Sequence, residues 1–276
     1  CAGIHAADQP NILWITAEDM SPALGCYGDR YASTQNIDRL ANESVRYTKA
    51  FASAPVCSPS RSCLITGCYP TSLSTQQMRS GFAIPKGMRG FPELLRKRGY
   101  YTSNNVKTDY NTGNYAEIIK HSWNESSATA HWRKRTDKTK PFFLFVCFHE
   151  PHEPIASAEI FERRYPDLDD PAQIRHHANI TQMDHAFGRL LAGIDRQKLT
   201  DDTLVLFTSD NGPAITRYHP HGSSGPLREK KGHMYEGGIR VPGIVRWPGH
   251  IKPGTTSDVP VGGVDVLPTI CEATAT

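Results

Sequence analysis

Short apolar runs alternate with amphipathic or polar stretches along this chain, and that alternation restricts the folds open to it more than any other feature. The runs Asn11–Thr16, Val45–Phe51, Tyr101–Val106, Phe142–Phe148, Thr203–Thr208 and Ile239–Arg246 have strand length and are rich in β-branched and aromatic residues. Long amphipathic segments between such runs favour an α/β fold, with a mostly parallel central sheet flanked by helices. The longest helical pattern runs from Asp170 to Arg196: Met183, Phe187, Leu190, Leu191 and Ile194 recur on one face, with His176, His177 and Arg189 read as polar. Pro92–Arg98 reads as a short helix closed by Gly99. A further helix runs from Cys57 through Ile65 to a stop at Gly67, with Pro59 in its first turn. Residues 67–90 and 211–238 are rich in Gly, Ser, Pro and charge and read as long loops, a class more often functional than idle.

The residues just past the end of each apolar run carry the functional information. Glu18-Asp19 comes after the first, Lys107-Thr-Asp109 after the Tyr101 run, His149-Glu-Pro-His152 after the Phe142 run, and Ser209-Asp210-Asn211-Gly212 after the Thr203 run. In an open parallel sheet, ligands bind outside the carboxyl ends of the strands. Any one of these clusters alone is most simply a turn, a helix cap or solvated surface. Their shared place after strands makes them one candidate site.

The residue types narrow the chemistry. Glu18, Asp19, Asp210 and Asn211 offer oxygen donors, which suit a hard cation such as Ca²⁺ or Mg²⁺ rather than zinc. Arg61, Lys107, His152 and Lys231 add cations, and a metal surrounded by cations fits a sulfate or phosphate ester. Cys57 opens its helix, where free N–H groups favour an anion, so the local sequence alone predicts a thiol of lowered pKa. A net charge of +3 over 276 residues and the lack of a Lys/Arg-rich block argue against nucleic acid. No apolar run reaches the ~18–20 residues of a membrane span. Seven cysteines without a C-x2-C pair suggest neither zinc nor a disulfide framework, and Cys147, within an apolar run, reads as a buried small residue. Asn42, Asn124 and Asn179 open N-x-[ST] sequons.

Cys57-Ser-Pro-Ser-Arg61 matches the C-x-P-S-R signature of the formylglycine-dependent sulfatases of the alkaline-phosphatase superfamily. It is joined, in the order of that family, by Glu18-Asp19, Lys107, Pro151-His152-Glu-Pro154, Ser209–Gly212 and Lys231-Gly-His-Met-Tyr-Glu-Gly-Gly-Ile-Arg-Val-Pro242. The chain resembles this family over about residues 10–275. Glu18-Asp19-Met-Ser-Pro22 and Phe148–His152 look most like the heparan N-sulfatase-related branch. Two departures stand out: the first metal pair, usually Asp-Asp, is Glu18-Asp19, and the usual Lys-x-His is Lys107-Thr-Asp109.

The resemblance implies a sulfuric ester or N-sulfo hydrolase acting on a sulfated carbohydrate. Cys57 would be oxidised to formylglycine by a maturation enzyme, and its hydrate would be the nucleophile on a Ca²⁺ site of Glu18, Asp19, Cys57, Asp210 and Asn211. Arg61, Lys107 and Lys231 would neutralise the sulfuryl oxygens, His152 or Lys231 would protonate the leaving group, and Asp109 would stand in for the missing His as base. The alternatives are a phosphoester or phosphonate monoester hydrolase on the same fold, or a non-catalytic anion-binding protein with a decayed site. Residues 1–9, with small residues around an A-x-A-like site, read as the remnant of an export signal or leader, giving a periplasmic, extracellular or lysosomal protein. Residues 10–276 read as the catalytic domain. The helix opening at Asp265 leaves no room for the family's smaller C-terminal subdomain, which is expected beyond this sequence.

Overall fold

The computed structural model describes residues 9–276; the candidate leader and Cys1 fall almost wholly outside them. The elements run β1 (Asn11–Ala17), α1 (Gln35–Asn42), β2 (Val45–Phe51), α2 (Cys57–Thr66), α3 (Pro92–Lys97), β3 (Tyr101–Asn105), α4 (Tyr115–Ser122), β4 (Glu125–Ser126) and β5 (Phe142–Cys147). They continue through α5 (Glu159–Glu162), α6 (Pro171–Arg196), β6 (Thr203–Ser209), α7 (Glu236–Ile239), β7 (Arg240–Arg246), β8 (Thr255–Ser257), β9 (Val261–Gly262) and α8 (Gly263–Thr274). The six expected strands all form. The sheet order is β4-β3-β5-β1-β6-β7-β2-β8, with β9 also pairing with β2. Every pairing is parallel except those of β7, which runs antiparallel to both β6 and β2.

β1 lies in the middle of this sheet with all seven residues buried. Its side chains alternate between the two layers, as a strand period of two requires. Leu13 and Ile15 pack with Met183, Phe187 and Ile194 of α6 and with Ile37 and Leu40 of α1. Ile12 and Trp14 face the opposite layer, with Leu64 and Ile65 of α2, Leu95 of α3, Ile118 of α4 and Ile270 of α8. The α2–α8 contact depends on Gly67, which ends α2 at φ 69°; a Cβ there would meet Leu267 Cδ2 at 2.4 Å.

α6 starts where expected: Asp170 is its N-cap, accepting from Ala172 N at 2.8 Å, and Pro171 opens the first turn. Its buried face is wider than the periodicity indicated. His176 and His177, read as polar surface, are 6% and 7% exposed. The loop around His219 covers His176, with His219 Nε2 2.8 Å from His176 Nδ1, while Tyr31 and Tyr165 pack on the His177 ring. Asp184 is also buried and accepts from Ile37 N at 2.8 Å and from Asn36 N at 3.1 Å, so α6 caps the start of α1 across 147 residues of chain. Asn179, one of the three sequons, is 4% exposed with its amide donating to Ala156 O, and it is not a glycan acceptor in the folded chain.

Burial, together with the neighbouring His219, His177 and His221, pushes His176 down to about 3. Unfolded, a histidine titrates near 6.5. Between these values the unfolded chain binds the extra proton, so this contribution to stability is unchanged above pH ~6.5 and is lost as the pH falls below it. Urea midpoints measured from pH 7.5 to 4.5 should fall less steeply for His176→Gln than for the native chain. Identical slopes would contradict this.

Candidate active site

The parallel register brings the polar clusters to one edge. Thr16 of β1 is opposite Cys147 of β5, and Ala17 is opposite Ser209 of β6. Glu18-Asp19, His149–His152 and Asp210-Asn211 therefore leave the sheet side by side, with Lys107 just beyond β3. Past its strand end the chain turns sharply at Asp19, in the left-handed region at φ 60°, a conformation non-glycine residues seldom adopt. Ser209 Oγ fixes this turn by accepting from Met20 N at 3.0 Å and donating to Asn211 O at 3.0 Å. Asp210 Oδ1 accepts from Asp19 N at 3.2 Å, and Asn211 Nδ2 donates to Asp19 Oδ1 at 2.8 Å.

α2 delivers Cys57 to the same point, with Sγ 3.6 Å from Asp19 Oδ1. Ligand atoms of Asp19, Cys57 and Asp210 lie within 4.8 Å of one another, as do those of Glu18, Cys57 and His152. One turn along α2, Arg61 is 1% exposed. It donates to Thr108 O at 3.0 Å, Lys107 O at 2.8 Å and Cys147 Sγ at 2.8 Å, and its Nη1 stands 3.6 Å from Asp210 Oδ2. Arg61 thus balances Asp210 and also holds the backbone that presents Lys107. Lys107 Nζ pairs with Glu18 Oε1, and Lys231 Nζ donates to Asp19 Oδ2 at 2.7 Å. Lys231 is carried in by a loop tied to the Cys57 loop through Gly232 N and Pro55 O, 2.9 Å apart. His152 Nε2 faces Glu18 Oε1 at 3.6 Å and Asp19 Oδ2 at 3.7 Å.

Sequence reasoning assigned no role to two further neighbours. His149 Nδ1 approaches Glu18 Oε2 at 3.4 Å; its signal was its place in the His149–His152 motif. Cys147, expected as a buried small residue, is buried, and its sulfur also accepts from Arg61. Nothing in an apolar strand run announces that contact. Asp109 lies near enough to Lys107 for its charge to act on it, but its hydrogen bond goes elsewhere. It accepts from Arg79 at 2.8 Å, and neither close cluster of ligand atoms includes it.

Three oxygens in the centre, Glu18 Oε2, Asp210 Oδ2 and Asn211 Oδ1, are buried with no hydrogen-bond partner. Orphaned buried oxygens are costly, and a hard cation is the partner their chemistry suits. Glu18, Asp19, Asp210 and Asn211 therefore fit Ca²⁺, with the Cys57 side chain alongside. Burial raises Asp210, against the opposing charge of Arg61. The expected low-pKa thiol is not found: burial, and then the Asp210 and Asp19 carboxylates, push Cys57 well above the usual thiol range. The helix N-terminus is outweighed by burial together with two nearby negative charges. The two lysines diverge. Burial lowers Lys107, whereas burial of Lys231 is outweighed by Asp19 and Cys57, which raise it.

The sulfatase family model matches residues 10–276. The chain belongs to the sulfatase family. It is 29% identical to an ulvan-active sulfatase of Formosa agariphila, over 95% of this chain and 52% of the relative. Against human arylsulfatase A it is 28% identical, over 98% of this chain and 65% of the relative. The chain thus spans about half to two thirds of these relatives' length. The crystal structure of Ps i-CgsB superposes with a TM-score of 0.84 at 22% identity, covering 97% of this chain and 72% of that one; the same protein has also been solved with k-i-k-neocarrahexaose. These superpositions establish the sulfatase fold for the sheet and its flanking helices.

The bonding of Arg61 makes it structural as well as electrostatic. Arg61→Ala would leave two backbone carbonyls without their donor and Asp210 without its cation, a class of change that costs about 3–5 kcal/mol. Urea unfolding should show a loss of that size. A change below about 1 kcal/mol would contradict the bonding described.

Proposed function

We propose that this sulfatase-family chain hydrolyses a sulfate ester, or the N–S bond of an N-sulfo group, on a sulfated carbohydrate. Cys57 is the residue oxidised to formylglycine, and Glu18, Asp19, Asp210 and Asn211 hold Ca²⁺. The observation that carries this reading is the placement of the Cys57 side chain among three unpartnered buried oxygens and a ring of cations. The names of relatives and structural neighbours support a carbohydrate substrate: one is an ulvan-active sulfatase, and another was solved with D-glucosamine-2-N,6-O-disulfate. Maturation requires a formylglycine-generating enzyme that reaches Cys57 before α2 is buried. Export to the periplasm, the cell exterior or a lysosome fits the family; among the described residues no helix is long and apolar enough to cross a membrane.

Ca²⁺ with a formylglycine hydrate would supply a deprotonated hydroxyl as nucleophile. The chain's own side chains do the rest. Each lysine ammonium has three donors, and the carboxylate bond of Lys107 or Lys231 occupies one, leaving others for sulfuryl oxygens. Arg61 is spent on Asp210 and the Lys107 turn, so it fixes the cluster from below. His152 Nδ1 lies 2.6 Å from Glu153 O. A carbonyl only accepts, so that nitrogen carries hydrogen and Nε2 is the one turned toward the cluster. Protonated there, His152 donates to the leaving oxygen or nitrogen. Asp109 is already engaged by Arg79 and is better placed to fix the turn after Lys107 than to accept a proton.

The test is sulfate release from sulfated mono- and oligosaccharides by matured protein, with phosphate monoesters in parallel. Cys57→Ala should lose about 10³-fold or more while keeping its fold. Cys63→Ala should retain most activity, since Cys63 Sγ bonds to Ser53 Oγ at 3.0 Å. Turnover of phosphate but not sulfate would overturn the assignment, as would equal losses in the two variants.

A further inference from the structure

We propose that Arg79 is a specificity-determining residue: fixed by Asp109 beside Lys107, its guanidinium receives a second anionic group, a carboxylate or another sulfate, on the same small substrate as the sulfate that is cleaved. The proposal rests on the hydrolase reading above and adds to it a preference for dianionic substrates.

The turn after Lys107 is pinned to α2 on both sides of Asp109. Before it, the Lys107 and Thr108 carbonyls accept from Arg61 at 2.8 and 3.0 Å; after it, Asn111 N donates to Ser62 Oγ at 2.7 Å. Arg61 and Ser62 lie about one turn of α2 past Cys57, so Asp109 has a fixed place against the helix that carries the nucleophile. The loop that carries Arg79 is fastened to the same turn. Asn111, 3% exposed, donates from its side-chain amide to Thr75 O at 2.8 Å and accepts from Ser80 N at 2.9 Å, and its carbonyl accepts from Ser80 Oγ at 3.1 Å. Farther along, Gly113 N donates to Phe82 O at 2.9 Å, where the two backbones run so close that a Cβ on Gly113 would overlap Gly81 O.

Within this frame Arg79 and Asp109 both adopt left-handed backbone, at φ 58° and 46°, an uncommon and costly conformation for residues with side chains. What the two residues gain is one ion pair of 2.8 Å, whose arginine side chain is 67% exposed. A pair so open to water contributes little to stability. Stability therefore does not account for two such residues meeting here, and a role in binding does.

The charge pattern selects the ligand. A lone carboxylate two residues from Lys107 would repel an oxyanion bound there. Arg79 pairs with it and its charge also acts on Lys107, so two cations bracket one anion and this side of the site stays positive. Of the five N–H donors of Arg79, Asp109 takes one, and among the described residues the guanidinium has no other polar partner. The remaining fork matches the paired oxygens of a carboxylate or a sulfate. The reacting sulfuryl group does not need that fork, since Lys107 and Lys231 already stand on the carboxylates around Cys57. A second anion on the same molecule does.

The experiment measures binding of sulfated monosaccharides to the whole chain in Ca²⁺ buffer by calorimetry, in two pairs: glucose 2-sulfate with glucuronate 2-sulfate, and galactose 6-sulfate with galactose 2,6-disulfate. The native chain should bind the dianionic member of at least one pair about tenfold more tightly. Arg79→Gln should abolish that preference, and Arg79→Lys, which keeps the charge without the fork, should retain only part of it. Arg79→Gln/Asp109→Asn removes both charges together, and Asn tolerates left-handed backbone. This double variant should bind the monosulfates as tightly as the native chain does while showing no preference. A preference that survives in folded Arg79→Gln, or native affinity that is equal or absent throughout both pairs, would overturn the assignment. So would an equal loss for both members of a pair in the double variant, which would make Arg79 a structural residue. Sulfate release is scored separately: a chain that keeps the Arg79-dependent preference yet releases no sulfate would sink the hydrolase reading and leave this assignment standing.

Discussion

Three carboxylates, Glu18, Asp19 and Asp210, are each no more than 1% exposed and gather around the Cys57 side chain, Asp19 and Asp210 in one close cluster of ligand atoms and Glu18 with His152 in the other. Keeping these buried charges in place away from water is the constraint around which this edge of the sheet is built. Unpaired, such charges would neutralise or unfold the region. Each has its own cation instead: Lys107 on Glu18, Lys231 on Asp19, Arg61 on Asp210. These cations come from three separate stretches of chain, so the charge balance itself fastens α2, the turn after β3 and the long loop before β7 to the strand ends.

The same arrangement makes the edge receptive to ligands. Each lysine ammonium is held through only part of its donor capacity, and oxygens of Glu18, Asp210 and Asn211 still lack hydrogen-bond partners. A hard cation in the middle completes the oxygens, and an oxyanion above it completes the ammonium groups. The left-handed backbone at Asp19 belongs to this design, since it turns the carboxylate back toward Cys57 and Lys231.

Much of this was legible in the sequence because it depends on local pattern. The six strands, the start of the long helix at Asp170 and the gathering of Glu18, Asp19, Asp210 and Asn211 at one edge come from periodicity and the rule for parallel sheets, while Cys57 was placed beside them by the resemblance to a known family. What was not legible depends on contacts between distant segments. His176 and His177 look polar until the loop at His219 folds over the first and Tyr31 and Tyr165 pack on the second. α1 was not foreseen, and Asp184 caps it from 147 residues away. The Cys57 thiol obeys the helix-terminus rule only in isolation; burial in the folded chain, and then Asp210 and Asp19, remote in sequence, reverse it. Asp109 lies two residues after Lys107, but the chain turns there through the left-handed region and delivers its carboxylate to Arg79.

The central claim is that the buried oxygens form a cage for one hard cation. Calorimetric titration of Ca²⁺ into the metal-stripped chain tests it most directly, with Asp210→Ala as the partner experiment. The account predicts one Ca²⁺ bound per chain, with the heat signal lost or shifted to much weaker binding in the variant. No Ca²⁺ binding by the folded native chain, or affinity unaltered by Asp210→Ala, would contradict it.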